Sequence, residues 1–254
     1  MTYFCAAPVS RGQGRRPQWA TRACASVRAV IYRALELTVA PVLRVVHRPE
    51  VTGLEHVPHT GPVIFAGNHI SFADEVFTPL AARRQVHYLA KHEYFTTPGP
   101  KGRAMALFFG GLGLVPVDRD ATVAAARSVG LCVDVLAQGK AFGIYPEGTR
   151  SPDGRLYKFR TGVARVALRS GAPVVPVGLV DTDRVQPAGV RAWHPHRVEV
   201  HFGAPLDFSG RTADERSARK LREITETVRA AVEALSGQEY VDRYASAVKA
   251  TPAA

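Results

Sequence analysis

The stretch VIFAGNHISFAD, residues 63–74, changes from a continuous apolar run into a short polar turn. Residues 63–66 predict a strand that is buried on both faces, and residues 71–83 predict the helix that follows it. Open α/β sheets bind their ligands where a strand gives way to a helix in this manner. The stretch therefore predicts an α/β fold and a candidate site in the turn.

Short apolar runs alternate with longer helical patterns on both sides of this stretch. Strands are predicted over residues 51–54, 63–66, 86–90, 114–117, 141–145, 174–180 and 198–202, and further helices over residues 121–138, 162–170 and 212–235. We therefore expect an α/β domain at residues 49–236 with a mostly parallel sheet of about seven strands covered by helices. Residues 237–254 predict a C-terminal tail that frays.

Residues 1–48 differ from the rest of the chain because they are strongly basic. Residues 1–50 hold eight arginines and two glutamates, so they supply six of the protein's eleven net positive charges. Residues 1–18 predict a basic arm. Apolar side chains at helical spacing over residues 19–40 predict an amphipathic helix that Pro41 kinks or ends. Two interpretations stay open, namely a helix packed on the core and a helix lying in an anionic membrane surface.

The composition excludes several classes of protein. With 46% hydrophobic and 22% charged residues, the chain is a folded protein and not a disordered polymer. Its three cysteines have no CxxC spacing, which argues against a secreted disulfide framework. We expect no cleaved signal peptide, because the first residues lack a basic segment followed by an apolar core. We expect no membrane span, because the apolar stretch near residue 30 is interrupted by charges. The protein is expected to stay inside the cell.

The first group of candidate functional residues lies in the turn of the opening stretch. Ser71 and Asp74 have the spacing of a capping box, which would explain Ser71 and part of the role of Asp74. That interpretation leaves His69 unexplained. A histidine beside a helix start, with a carboxylate in the first turn, can instead be an oriented general base.

Two later segments also follow apolar strands. Residues 144–151, IYPEGTRS, combine Glu147, two hydroxyl groups and Arg150, whose guanidinium can hold a phosphate with two parallel bonds. Residues 113–120, GLVPVDRD, end in Arg119 between two aspartates. Asp120 in that segment has the ordinary alternative role of capping the next helix.

These segments carry a resemblance to a known family. The pattern Asn68-His69-x-Ser71-x-x-Asp74 resembles the HX4D motif of the glycerolipid acyltransferases, and residues 89–93, the Arg119 segment, residues 144–151 and residues 174–179 resemble its other blocks in the same order. The resemblance covers roughly residues 51–206 and is strongest to bacterial 1-acyl-sn-glycerol-3-phosphate acyltransferases. The sequence departs from the family at Tyr145, where phenylalanine is more usual.

The resemblance implies transfer of a fatty acyl group to the free hydroxyl of 1-acyl-sn-glycerol 3-phosphate, which gives phosphatidic acid. The donor would be an acyl-CoA or acyl carrier protein thioester, and no metal or other cofactor is implied. His69 would be the general base and Asp74 its partner. The acceptor's phosphate and glycerol would be bound by Arg119, Glu147, Gly148, Thr149 and Arg150, and the site would be supported by Asn68, Ser71, Ser151 and Pro176.

Several alternatives remain at this point. The acceptor could be glycerol 3-phosphate or another lysolipid, and a different class is a non-catalytic basic protein that binds membrane surfaces. Residues 104–109 either line an apolar groove for the acyl chain or pack in the core. We expect a location at the cytoplasmic face of the cell membrane, peripheral or monotopic, with no nucleic-acid partner.

Overall fold

A seven-stranded sheet forms the centre of the protein, of which the computed structural model describes residues 18–117, 124–187, 190 and 192–250. The strands, including two that form a separate small sheet, are β1 (Glu50–Thr52), β2 (Val63–Gly67), β3 (Val86–Lys91), β4 (Leu114–Val117), β5 (Ala141–Ile144), β6 (Leu156–Tyr157), β7 (Val174–Val180), β8 (Glu199–Phe202) and β9 (Tyr240–Val241). The large sheet has the order β1-β8-β7-β2-β5-β3-β4. All of its pairings are parallel except β7 with β8. The predicted α/β fold with a mostly parallel sheet is confirmed.

Helices cover both faces of this sheet. They are α1 (Gln18–His47), α2 (Asp74–Ala82), α3 (Glu93–Thr96), α4 (Gly99–Gly111), α5 (Ala124–Ala137), α6 (Gly162–Ser170), α7 (Thr182–Val185), α8 (Ala218–Ser236) and α9 (Ala245–Ala250). The predicted helix over residues 212–235 is divided into a short 3₁₀ turn and α8, because the Ser217 side chain accepts a hydrogen bond from the Lys220 N–H and caps α8. Helices α3 and α4 were not predicted.

The alternation of side chains along β2 explains its continuous apolar run. Ile64 packs with apolar side chains of α5, α6 and α8 on one face, whereas Phe65 packs with those of α1 and α2 on the other. Both side chains are at most 2% exposed. Full burial of such a side chain stabilises a fold by roughly 1.5–3 kcal/mol. Placement of β2 at the centre of the sheet therefore fixes the turn that follows it.

Helix α1 continues through Pro41 instead of ending there. A proline in a helix removes one backbone hydrogen bond, and burial of Ala40 and His47 holds the surrounding residues in place. The His47 ring makes edge contacts with Phe77 and Trp193. A different face of the same helix exposes Val30, Leu37 and Val45. Within the described part of the chain, no helix combines the length and the apolar character that crossing a membrane requires.

The segment after Gly237 was expected to fray, but its described residues are folded. Strand β9 pairs in parallel with β6, and α9 follows it. The backbone N–H of Leu156 donates to the Glu239 carbonyl over 2.9 Å, and that of Lys158 donates to the Arg243 carbonyl over 3.0 Å. Backbone pairing between two strands of two residues leaves no recognisable pattern in the sequence, so the pairing of β9 with β6 was not predicted.

Candidate active site

The candidate site lies at the carboxyl edge of the sheet, where β5, β2 and β7 are neighbours. The turn with His69 follows β2, the turn with Glu147 follows β5, and Thr182 follows β7. Because these three strands are parallel, their carboxyl ends meet at one edge. The topology thus joins residues that are far apart in the sequence.

The predicted pair of His69 and Asp74 is formed. The Nδ1 atom of His69 lies 2.8 Å from Oδ2 of Asp74, whose side chain is completely buried. The same Oδ2 accepts the backbone N–H groups of Ile70 and Ser71, each over 2.9 Å. The other oxygen, Oδ1, accepts the hydroxyl of Thr182. A carboxylate on Nδ1 favours the tautomer with the proton on that nitrogen, and a ring in this tautomer can accept a proton at Nε2.

The capping-box interpretation is correct in part. Asp74 does bond back to the N–H of Ser71, as a capping box requires. Ser71, however, is not the N-cap, because α2 begins after Ala73. The Ser71 hydroxyl donates to the carbonyl of Gln186 over 2.9 Å, and its oxygen accepts the backbone N–H of Ala73 over 3.1 Å. Asp74 therefore orders the turn and holds the His69 ring with the same carboxylate.

An aromatic stack fixes one face of the His69 ring. The ring lies parallel to that of Tyr145, with centroids 4.2 Å apart and an angle of 9°. Tyr145 in turn stacks on Tyr88 at 5.7 Å. Burial raises the pKa of Tyr145 well above its ordinary value, so its hydroxyl stays protonated. Since the His69 side chain is only 13% exposed, carboxylate and ring stack together leave it little freedom to turn.

Glu147 was predicted to bind the acceptor, but both of its oxygens are used by the backbone. Oε1 accepts the N–H of His69 over 2.9 Å, and Oε2 accepts the N–H of Tyr157 over 3.1 Å. Glu147 is fully buried. Burial raises its pKa to about 8, although the two backbone hydrogen bonds oppose that change. These contacts make Glu147 a positioning residue that holds the backbone of His69.

The residues after Glu147 form an exposed turn. Gly148 has a φ of +78°, and a side chain there would meet Arg160, so the turn requires glycine. Thr149 accepts a hydrogen bond from Lys249. Arg150 is exposed and, among the residues that the structure describes, makes no ion pair. Ser151 donates its backbone N–H to the His69 carbonyl over 2.6 Å, so this turn and the His69 turn are joined.

The remaining predicted residues have different positions. Asn68 is buried and makes two hydrogen bonds with the backbone of Leu179, each of 2.8 Å, which tie the end of β2 to β7. Pro176 lies within β7 beside Ala66, before the strand end. Arg119 falls outside the described residues.

Two contacts of this site were not predicted. Thr182 is 108 residues from Asp74 in sequence, but it directly follows a strand adjacent to β2, and that position was the available signal. Lys249 lies on α9, far from any motif, and no sequence signal pointed to it. Within the described ranges, no three histidine, cysteine or acidic side chains are grouped as a metal site would require.

A large apolar cavity lies beside the site, between α1, α2 and α4. Its volume is about 560 Å³. Phe108 and Phe109, from the segment predicted to line an acyl groove, lie in its wall. Phe72 and Tyr88 also line it. Tyr88 in the wall of the cavity stacks on Tyr145, which stacks on His69, so two aromatic rings connect the cavity to the candidate base.

Comparison with known proteins finds a family and relatives that are similar to this chain. The model of a family described as Acyltransferase matches residues 48–180. A chloroplast 1-acyl-sn-glycerol-3-phosphate acyltransferase of Brassica napus is 31% identical over 169 residues, which cover 64% of this chain and 47% of that protein. A protein of the same name from Borreliella burgdorferi is 31% identical over 52% of this chain and 51% of its own. The matches thus span about half the length of these relatives.

A solved structure also has this fold. The crystal structure of the 1-acyl-sn-glycerophosphate acyltransferase from Thermotoga maritima superposes with a TM-score of 0.56 at 24% identity. The superposition covers 85% of this chain and 94% of that one. The similarity therefore extends beyond the residues that the family model matches.

Proposed function

The chain belongs to the acyltransferase family, and on that premise we propose that it transfers a fatty acyl group from a thioester to the free hydroxyl of 1-acyl-sn-glycerol 3-phosphate. The product is phosphatidic acid, an intermediate of phospholipid synthesis. The observation that carries this proposal is the contact of 2.8 Å between His69 and a buried Asp74 at the carboxyl edge of the sheet. A buried carboxylate on Nδ1 is the arrangement that orients a histidine for proton transfer through its other ring nitrogen.

In the proposed mechanism, His69 acts as the general base. Its Nε2 takes the proton of the acceptor hydroxyl while the hydroxyl oxygen attacks the thioester carbonyl. The C–S bond of the resulting tetrahedral intermediate then breaks, and the imidazolium returns the proton to the leaving thiolate. Asp74 stabilises the imidazolium between these two steps. A positioned base of this kind contributes about 10²- to 10⁴-fold to the rate.

Arg150 is the proposed ligand of the acceptor phosphate. It lies on the turn that Ser151 joins to His69, so a phosphate held there is close to the base. A guanidinium can donate two parallel hydrogen bonds to a phosphate. We expect Arg119 to bind the same group, and this remains a prediction from the sequence.

The apolar cavity is the proposed site of the acyl chain. Its volume of about 560 Å³ is comparable to that of small-molecule binding sites in general. Burial of each methylene group in such a cavity contributes about 0.8 kcal/mol. The substrate panel identifies the thioester, acyl-CoA or acyl carrier protein, that delivers the chain.

The exposed stripe of α1, which we define as Val30, Leu37 and Val45, supports a membrane location. These side chains are 67%, 75% and 72% exposed, although their helix packs on the domain through another face. Apolar side chains with arginines nearby are typical of helices that lie in an anionic membrane surface. We propose that the protein works there, at the cytoplasmic face of the cell membrane.

The function is tested with purified protein and a panel of substrates. The acceptors are 1-acyl-sn-glycerol 3-phosphate, glycerol 3-phosphate and a lysolipid without a phosphate monoester, and the donors are acyl-CoA and acyl carrier protein thioesters. Products are resolved by mass and by acyl position. We expect phosphatidic acid from the first acceptor. Preference for glycerol 3-phosphate or for the other lysolipid would select an alternative acceptor, and no transfer to any of them would favour a non-catalytic membrane-binding protein.

A further inference from the structure

The C-terminal helix α9 returns to the candidate active site. Parallel pairing of β9 with β6 brings the chain beside the segment that also supplies the Tyr157 N–H to Glu147. Ala245 at the start of α9 is fully buried, which anchors the helix. The Tyr244 hydroxyl lies 3.2 Å from the guanidinium of Arg222 on α8. The position of α9 is thus fixed by packing and by backbone hydrogen bonds.

Lys249 on α9 lies against the exposed turn of the site. Its ammonium group donates to the Thr149 hydroxyl over 3.1 Å. Partial burial lowers the pKa of Lys249, and the charge of neighbouring Arg150 lowers it further. Arg160 is held nearby, since its guanidinium donates to Ser246 of α9 over 2.9 Å. Three cationic side chains therefore surround the turn formed by Gly148 and Thr149.

The charge of the buried Glu147 acts on Lys249 and opposes the lowering of its pKa, but both Glu147 oxygens are bonded to backbone N–H groups. Within the described residues, Arg150, Arg160 and Lys249 form no ion pair with a carboxylate. Other cations of the same region are paired, because Lys158 lies 2.8 Å from Asp242 and Arg155 lies 2.6 Å from Asp153. Like charges held together without a counter-ion repel each other, and an anion relieves that repulsion.

We propose that Lys249 is a further ligand of the acceptor's phosphate monoester and that α9 thereby completes the acceptor site. This inference rests on the proposed function. The family match ends at residue 180, so neither Lys249 nor α9 belongs to the matched region. Arg150 belongs to the turn itself, and the ammonium of Lys249 reaches the turn from α9. A phosphate bound between them would be held from both sides and kept close to His69.

The test compares Lys249→Gln and Lys249→Arg with the control Lys140→Gln. Lys140 is exposed, precedes β5 at the opposite edge of the sheet, and loses the same charge in its variant. We expect Lys249→Gln to raise KM for 1-acyl-sn-glycerol 3-phosphate by about 3- to 10-fold, as loss of an exposed ionic hydrogen bond does. KM for the thioester and kcat should change less than about twofold. Lys249→Arg should retain most of the affinity, and Lys140→Gln should not change it.

An unchanged acceptor KM in Lys249→Gln, at an unchanged melting temperature, would overturn the inference. So would an equal rise in Lys140→Gln, since it would reflect net charge alone. Sedimentation with anionic vesicles tests whether Lys249 binds the phosphates of lipid headgroups instead. Weaker vesicle binding by Lys249→Gln with an unchanged acceptor KM would assign Lys249 to the bilayer and contradict the proposal. If the wild type transfers to no acceptor, the proposed function fails. Calorimetric titration with sn-glycerol 3-phosphate then tests phosphate binding by Lys249 separately from catalysis. Equal affinity of the wild type and Lys249→Gln for this probe would refute a role of Lys249 in phosphate binding.

Discussion

Replacement of Glu147 by glutamine tests how the backbone of His69 is held. The carboxyl group is fully buried, and burial raises its pKa from 4.5 to about 8. Between these two values the folded protein binds a proton that the unfolded chain has released. Stability should therefore fall as pH rises through this window, with a slope of up to about 1.4 kcal/mol per pH unit. Above pH 8, the total loss is roughly 5 kcal/mol.

Glutamine removes the titration but weakens the hydrogen bonds. Its one carbonyl oxygen can accept only one of the N–H groups of His69 and Tyr157, and its NH₂ group then faces the other donor. That mismatch costs about 1–3 kcal/mol at every pH. The Glu147→Gln variant should therefore be less stable than the wild type near pH 5 and more stable near pH 9. The two stability curves are expected to cross between these values.

Urea unfolding from pH 5 to pH 9, followed by circular dichroism, measures both curves. The exposed Glu239 offers a matched control, since Glu239→Gln makes the same chemical change at the surface. Its curve should have the slope of the wild type. Parallel curves for Glu147→Gln and the wild type would refute the reasoning, because they would mean that Glu147 has the same protonation in the folded and unfolded states.

Three further predictions concern the acceptor site, the base and the membrane surface. Asp74→Asn should lower kcat by about 10²- to 10⁴-fold, because an amide can orient His69 but cannot stabilise its charge; a change in melting temperature alone would leave Asp74 only its capping role. Arg150→Lys should raise the acceptor KM by about 3- to 10-fold, because lysine lacks the two-pronged grip of the guanidinium; an equal rise in KM for the thioester would place the phosphate elsewhere. Serine substitution of the exposed stripe of α1 should release the protein from anionic vesicles in sedimentation, and high salt should weaken binding of the intact chain. Unchanged binding by this variant would show that the membrane contact lies on another surface.

The main elements of the fold could be predicted because burial on both faces leaves a clear sequence pattern. Ile64 and Phe65 point to opposite layers of the protein, and only a central strand makes both of them apolar. The contact of His69 with Asp74 was predictable for a similar reason, since the six residues from His69 to Asp74 determine it. For these two features, the local sequence is enough to predict the contacts seen in the structure.

The rest of the site depends on contacts between distant segments. Thr182 contacts Asp74 only because β7 lies beside β2. The order of strands in a sheet cannot be predicted from the sequence of any one strand. The motif position of Glu147 suggests a ligand for the substrate, yet its side chain is oriented by two backbone N–H groups, one from the turn after β2 and one from β6. Pro41 predicts a kink or an end of the helix from local chemistry alone, and the helix continues through it to His47 with Ala40 and His47 buried.

The central claim, that His69 is the base of an acyl transfer, is tested most directly by the initial rate of His69→Ala. The assay follows phosphatidic acid formed from 1-acyl-sn-glycerol 3-phosphate and the thioester that the wild type prefers, at saturating concentrations of both. We predict a rate lower by at least about 10²-fold, with unchanged melting temperature and acceptor affinity, because the ring acts on the hydroxyl proton and not on the phosphate. A variant that keeps about a tenth or more of the wild-type rate would contradict the account.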